Sequence, residues 1–191
     1  MSKSQQQKLL GAIFSIVVIA LGVWQASTTP PQFSTLDEEV SKADYRNVPE
    51  GYTVLSRVVD GDTIEVAFSD TDKYKVRLIG INTPESVDPR KPVECFGHEA
   101  TEHLKALLNV SSVRLSTDPS QASEDKYDRW LRYVYTADGT DINLQMIKDG
   151  YAHEYTYNTP YVNQKVYRAA EAEAKTKKIG LWSPDTCNGN P

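Results

Sequence analysis

The chain of 191 residues predicts an α+β domain that is mainly β, a five-stranded barrel with three helices, preceded by an N-terminal hydrophobic segment. Three observations carry this. Apolar residues alternate in short runs between tight turns over 52–81, a helical spacing follows at 99–109, and two more β-like runs precede two helical segments.

Residues 52–59 are rich in Val and Leu, Asp60-Gly61-Asp62 makes a turn, and 63–68 alternates through Ile64, Val66 and Phe68. A second turn, Ser69-Asp70-Thr71-Asp72, leads into 73–81. There Tyr74, Val76 and Leu78 share one face and Lys75 and Arg77 the other, so the three runs form a meander. Asn82-Thr83-Pro84 ends it, and the proline-rich stretch to Pro92 reads as a loop. Ala100, Leu104, Leu107 and Leu108 give 99–109 one apolar helical face. Residues 110–117 and 130–136 read as strands around a polar loop at 118–128. Five strands and an inserted helix are the parts of an OB-like barrel. Asp141 caps a short helix ending at Gly150, with Ile142, Met146 and Ile147 as its apolar face. Thr159-Pro160 has the form of an N-cap and a first-turn proline. It opens a helix to Lys178 whose buried stripe is Val162, Val166 and Ala170.

With 21 Lys+Arg against 26 Asp+Glu the formal charge is -5, which excludes a generally basic DNA-coating protein. The 39% hydrophobic and 25% charged composition excludes collagen-like and wholly disordered classes. Cys95 and Cys187 are too few and too far apart for a zinc site or a disulfide-rich miniprotein. Before the domain, Lys3 and Lys8 stand without an acid, and 9–24 is apolar apart from Ser15. This is an export signal or a signal-anchor with its basic end in the cytoplasm. As a helix the run rises roughly 24 Å, between a signal core and a full span. A small-x-small cleavage site is poorly formed, with Trp24 ahead of Ala26, which favours the anchor. Residues 1–26 are thus a signal-anchor or signal peptide, 27–50 a flexible linker rich in Ser, Thr and Pro, 51–183 the folded domain and 184–191 a C-terminal tail. The domain is expected outside the cytoplasm, membrane-anchored or secreted.

Asp60-Gly61-Asp62-Thr63 is a turn signal in its own right. Downstream, Arg77 lies on the polar face of a strand that ends in an oxygen-rich turn, Asn82-Thr83-Pro84-Glu85. Oxygen ligands from two adjacent loops suit a hard cation such as Ca²⁺. Asp125-Lys126-Tyr127-Asp128-Arg129 brings a second arginine just before a strand. These blocks, VVDGDTIEV, VRLIGINTPE and DKYDRWLRYVY, with FGHEA, INLQMIKDGYAHEY and IGLWS, resemble the staphylococcal nuclease (thermonuclease) family in order and spacing over roughly 52–183.

The resemblance implies an OB-fold barrel with three helices and Ca²⁺-dependent hydrolysis of phosphodiester bonds in DNA and RNA, leaving 3′-phosphates. It implies that Asp62 and Thr83 hold the metal, the latter through its carbonyl, with Asn82 at a position where the staphylococcal enzyme has aspartate. Arg77 and Arg129 match the arginines that grip the scissile phosphate, and Glu85 the proposed general base. Asp60 matches an outer carboxylate near the metal, and Lys126, Tyr127, Tyr155 and Tyr157 match substrate contacts. The chemistry asks for the same parts, because transfer at phosphorus needs fixed cations and a positioned nucleophile. A planar guanidinium fork fits phosphate better than lysine does. Tyr155 and Tyr157 alternate around Thr156, so both face one way if the segment is extended.

The remaining candidates read more plainly. His98, His103 and His153 have no ligand-like partners in the sequence and are assigned surface or structural duty. Cys95, before the first helix, and Cys187, after the last, form a disulfide if those helix ends lie close, and are two free thiols otherwise. From 51 to 187 there are 17 Lys+Arg against 21 Asp+Glu, so attraction for a DNA or RNA substrate, single strands favoured, must be local to Arg77, Lys126 and Arg129. The alternative function is a non-catalytic OB-fold module that binds nucleic acid or protein. The joint presence of Asp62, Arg77, Glu85 and Arg129 favours catalysis. A monomer is expected.

Asn82 keeps an oxygen ligand but removes one negative charge, and ligand charge sets much of Ca²⁺ affinity. Asn82→Asp is therefore expected to lower the Ca²⁺ concentration giving half-maximal activity; a titration with an unchanged or raised value contradicts this.

Overall fold

The computed structural model describes residues 48–90 and 92–190, so the signal-anchor or signal peptide expected at 1–26, and the linker up to residue 47, lie outside the described residues. The domain starts with the expected meander. Strands β1 (Tyr52–Asp60), β2 (Thr63–Ala67) and β3 (Lys73–Leu78) pair antiparallel in sequence order. Their alternation sorts the side chains: Ile64, Val66, Val76 and Leu78 are fully buried while Lys73 and Lys75 face out. Each buried aliphatic side chain contributes about 1.5–3 kcal/mol.

The third run stops earlier than its alternation suggests. β3 ends at Leu78, and only Ile81–Asn82 resumes strand geometry, as β4. The break is built on Gly80, whose φ of +80° lies in the left-handed region. A Cβ there would fall 2.6 Å from the ring of Tyr161. Period-2 patterning sees apolar Ile79 and Ile81 and cannot register such a corner.

β5 (Ser112–Ser116) and β6 (Trp130–Tyr135) complete a closed barrel in the order β1-β2-β3-β6-β5. β3 and β6 run parallel and β5 closes antiparallel on β1. This is the expected OB-type α+β architecture. β4 leaves the barrel to pair with β7 (His153–Glu154), setting Asn82 opposite His153.

Among the described residues three α-helices pack on the barrel, none long and apolar enough to cross a membrane. α1 (Gly97–Leu107) buries Ala100, Thr101 and Leu104. α2 (Ile142–Lys148) is capped as expected: the Asp141 carboxylate accepts from the Leu144 N–H at 3.0 Å, and Ile142, Met146 and Ile147 are buried. Its Asn143, fully buried, accepts from the Val134 N–H and donates to the carbonyls of Ile79 and Arg132. One amide thus ties α2 to β6 and to the corner after β3.

α3 (Gln164–Lys177) corrects two expectations. Thr159-Pro160 does not open the helix. Both carbonyls instead accept from the Gln121 side chain, and the chain turns so that Tyr161 is buried, with its hydroxyl donating to the Gly80 carbonyl. The helix then starts at Gln164 on a different phase. Val162 and Val166 are 65% and 53% exposed, and the buried stripe is Tyr167, Ala170 and Ala174. Tyr167 decides the phase, because its hydroxyl reaches both carboxylate oxygens of Asp141 at 3.0 Å.

After a 3₁₀ turn at Gly180–Trp182 the chain folds back, the Gly189 N–H donating to the Leu181 carbonyl at 2.8 Å. Cys187 there is bonded to Cys95, 92 residues away. Closing a loop of that length constrains the unfolded chain by about 4–5 kcal/mol in the chain-entropy account.

The helix phase is open to test by denaturant unfolding. Tyr167→Phe removes a hydrogen bond to a carboxylate and is expected to cost about 1.5–3 kcal/mol. Val166→Ala, on the solvent side, is expected to stay within about 0.5 kcal/mol; the reverse order contradicts this phase.

Candidate active site

Four segments converge on a cleft of about 870 Å³: the β1–β2 turn, the path from β3 through β4 to Glu85, the loop before β6, and residues 155–161. All eleven residues singled out for metal, catalysis or substrate line it, namely Asp60, Asp62, Arg77, Asn82, Thr83, Glu85, Lys126, Tyr127, Arg129, Tyr155 and Tyr157. None of the three histidines does. His98 is exposed, His103 Nε2 is 2.8 Å from the Asp149 carboxylate, and His153 packs edge-on to Trp182.

The hairpin turn is set by a close approach. Gly61 is buried, and a Cβ on it would fall 2.7 Å from Thr83 Oγ1 and 2.9 Å from the Ala100 side chain. With no side chain between them, the turn lies against the β4 exit. Asp62, buried at 7% exposure, spans the two. Its Oδ2 is 3.0 Å from Arg77 Nη2 and accepts from the Thr83 N–H at 3.1 Å, while Oδ1 accepts from Thr63 Oγ1. Arg77 is aimed by further bonds, Nη1 donating to the Leu78 carbonyl at 2.7 Å and Nη2 to Asn82 Oδ1 at 3.2 Å.

Asp60 accepts from the Asp62 N–H at 3.0 Å. Burial, and then the negative charge of Asp62, push its carboxyl up to about 6. Two carboxylates held close in a low-dielectric turn are a place where a cation relieves repulsion. The donors there, from Asp62, Asn82 and the Thr83 carbonyl, are all oxygen and fit a hard divalent cation. Among the described residues no three His, Cys, Asp or Glu side chains gather as a metal cluster, so a cation would lean on one or two carboxylates plus neutral oxygens.

Glu85 follows Thr83 by two residues. Its Oε1 accepts from the N–H groups of Ser86, Val87 and Asp88 at 2.9, 2.8 and 3.0 Å. One oxygen thus accepts three amide bonds, while Oε2 has no hydrogen-bond partner among the described residues.

Arg129 is fixed from its own loop. Its Nε and Nη2 lie 2.8 and 2.7 Å from Asp125 Oδ2, while Asp125 Oδ1 accepts from the Tyr127 and Arg129 N–H groups. Burial pushes the Asp125 carboxyl up, but these bonds outweigh it and hold the group below the usual carboxylate range. Tyr127 lies under both Lys126 and Arg129, 5.0 and 5.4 Å from its ring centroid. Tyr155 and Tyr157 are both exposed, with ring centroids 6.4 Å apart.

Sequence reasoning missed Asp125, because the i,i+4 pairing rule belongs to helices and this pair with Arg129 sits in a loop. It also missed Asp118, whose buried carboxylate accepts from Tyr133 Oη at 2.6 Å and from the Val162 and Ser120 N–H groups. Ser120 Oγ in turn donates to the Pro160 carbonyl. This ties the Arg129 loop to the segment bearing Tyr155 and Tyr157. Nothing local in the sequence marks that bond.

Residues 75–184 match the model of the family described as staphylococcal nuclease homologue. The chain is 34% identical over 153 residues to a thermonuclease of Staphylococcus hyicus, covering 80% of this chain and 88% of that protein. It is 37% identical over 132 residues to endonuclease YncB of Bacillus subtilis, covering 68% of this chain and 60% of the relative. To the SPbeta prophage-derived endonuclease YokF of the same organism it is also 37% identical, over 43% of that protein's length. The chain spans less than two thirds of the length of these two Bacillus relatives. The matched family model runs from within β3 to the turn after α3, over half of the chain, and with the closed barrel and the Asp62–Arg77–Glu85 cleft it shows that the chain belongs to the staphylococcal nuclease family.

Proposed function

We propose that the protein is a calcium-dependent nuclease that hydrolyses phosphodiester bonds of DNA and RNA outside the cytoplasm and leaves 3′-phosphates. The observation that carries this reading is Arg77, whose Nη2 meets the buried Asp62 at 3.0 Å and Asn82 at 3.2 Å in the same cleft as Glu85 and Arg129. Relatives bearing the names thermonuclease and endonuclease support it.

In this reading Asp62, Asn82 and the Thr83 carbonyl would hold Ca²⁺, which would supply positive charge beside the phosphate oxygens. The guanidinium groups of Arg77 and Arg129 grip the scissile phosphate and neutralise the charge that builds on its oxygens in the transition state. Glu85 orients or deprotonates the attacking water through Oε2, because Oε1 already accepts three amide bonds. Attack at phosphorus breaks the P–O5′ bond, so the phosphate stays on the 3′ side. Lys126 and Tyr127 meet the substrate backbone, and Tyr155 and Tyr157 offer faces on which unpaired bases stack, which favours single strands. The apolar N-terminal run and the disulfide support action outside the cytoplasm, at the membrane or after secretion.

Digestion of single-stranded DNA by the full chain tests this. Cleavage is expected to require Ca²⁺, to stop with EGTA, and to fall about 10²–10³-fold in Arg129→Ala and in Glu85→Ser. Arg77→Lys is expected to recover only part of the wild-type rate. No cleavage with any divalent ion, in a chain shown to be folded, would overturn the nuclease reading in favour of a binding module.

A further inference from the structure

Glu85 is clamped along its main chain as well as its side chain. Its N–H donates to Glu94 Oε2 at 2.8 Å, and its carbonyl accepts from the Glu94 N–H at 2.8 Å. Both bonds come from one residue, nine positions on in sequence. Glu94 is fixed in turn from its C-terminal side. Its carbonyl accepts from the Gly97 N–H at 3.0 Å, at the start of α1, and the next residue, Cys95, is bonded to Cys187. Between them Phe96 holds a left-handed φ of +71°, a conformation that persists in a non-glycine residue only where its surroundings over-determine it. Its ring packs 5.0 Å from that of Tyr151. Gly97 sits so close to Glu85 that a Cβ would fall 2.6 Å from the Glu85 carbonyl oxygen.

We propose that Glu94 is a positioning residue for Glu85, and that the Cys95–Cys187 bridge holds Glu94 in place. The inference rests on the reading of Glu85 as the group that handles the attacking water. A carboxylate suits the task because a charge-assisted bond to an amide is about twice as strong as a neutral one. A glutamate side chain has rotamer freedom to lose, so the clamp works only if its backbone is already fixed. The disulfide at Cys95 and the first turn of α1 at Gly97 supply that fixation together from the C-terminal side of Glu94. The Glu85 side chain then starts from a main chain bonded on both sides, and a shift of about 1 Å at such a group costs about 10²-fold in rate.

Glu94→Ala, Glu94→Gln and the paired variant Cys95→Ser/Cys187→Ser, all in the full chain, separate positioning from general stability. Glu94→Ala is expected to lower kcat on single-stranded DNA by about 10–100-fold with KM within about two-fold. Glu94→Gln offers an amide oxygen to the same N–H and is expected to keep kcat within about three-fold. The double-serine variant is expected to fall between them. Amide hydrogen exchange reads the clamp without activity: exchange at Glu85 is expected to rise about ten-fold in Glu94→Ala and in the double-serine variant, with β2 ladder amides unchanged. Wild-type kcat in Glu94→Ala, or equal losses in Ala and Gln, overturns the role of Glu94. Wild-type exchange at Glu85 in the double-serine variant overturns the role of the bridge. An inactive wild-type chain overturns the nuclease reading, and the exchange rates then decide the clamp alone.

Discussion

A carboxylate taken out of water needs compensation, and around Asp62 that need shapes the site. Removing one partner of a buried pair costs about 3–5 kcal/mol, because it leaves an uncompensated charge. Asp62 meets the requirement with a guanidinium from β3, the amide just after β4 and the hydroxyl of the next residue, Thr63, at the start of β2. The first two come from parts of the chain distant from Asp62, so they reach it together only when the β1–β2 turn lies against the β4 exit. Gly61 permits that approach by having no side chain to hold the segments apart. Barrel closure and site geometry are therefore one constraint: β3 must pair in the register that sets Arg77 opposite Thr63 for the guanidinium to reach the turn.

The two proposed phosphate-gripping arginines are held by different means. Arg77 is shared among Asp62, Asn82 and a main-chain carbonyl, all within the rigid β1–β4 frame. Arg129 depends on Asp125 inside a loop, and that loop is joined to the tyrosine-bearing segment by Asp118, Ser120 and Gln121. Burial works against the Asp118 carboxylate, but its bonds to Ser120, Tyr133 and Val162 hold its pKa below the usual range. The two guanidinium groups of the cleft are thus fixed by local carboxylates that line it with them, in keeping with a domain of net negative charge.

What the sequence displayed follows from range. The meander was legible because alternation and turn residues act over a few positions, and the α2 cap because Asp141 acts three residues ahead on Leu144. The site residues were legible as words, because Asp62, Arg77 and Glu85 sit at fixed offsets within two short blocks. The corner at Gly80 and the start of α3 were not, and the same residue defeats both readings. Tyr161 packs against Gly80 and drives the chain past Thr159-Pro160 before the helix can begin. The phase of α3 then answers to Asp141, which Tyr167 reaches from 26 positions away. Asn143, Asp118 and Glu94 carry no periodic or motif signal, since each acts through a hydrogen bond to a main-chain group distant in sequence.

Position 82 brings these lines together. Arg77 now faces one charged partner, Asp62, and one neutral partner, the Asn82 amide oxygen. An aspartate at 82 would give the guanidinium a second anionic partner at the same place. It would strengthen the oxygen set for a cation, and it would also hold Arg77 more tightly when a phosphate competes for its donors. With Asn82 the arginine gives up a bond in which only the donor is charged, weaker than an ion pair with a carboxylate, in turning toward substrate. On the proposed nuclease reading, the amide exchanges cation affinity for a guanidinium that is easier to recruit. The two effects separate experimentally, because the first is read in the Ca²⁺ dependence and the second in the rate at saturating Ca²⁺.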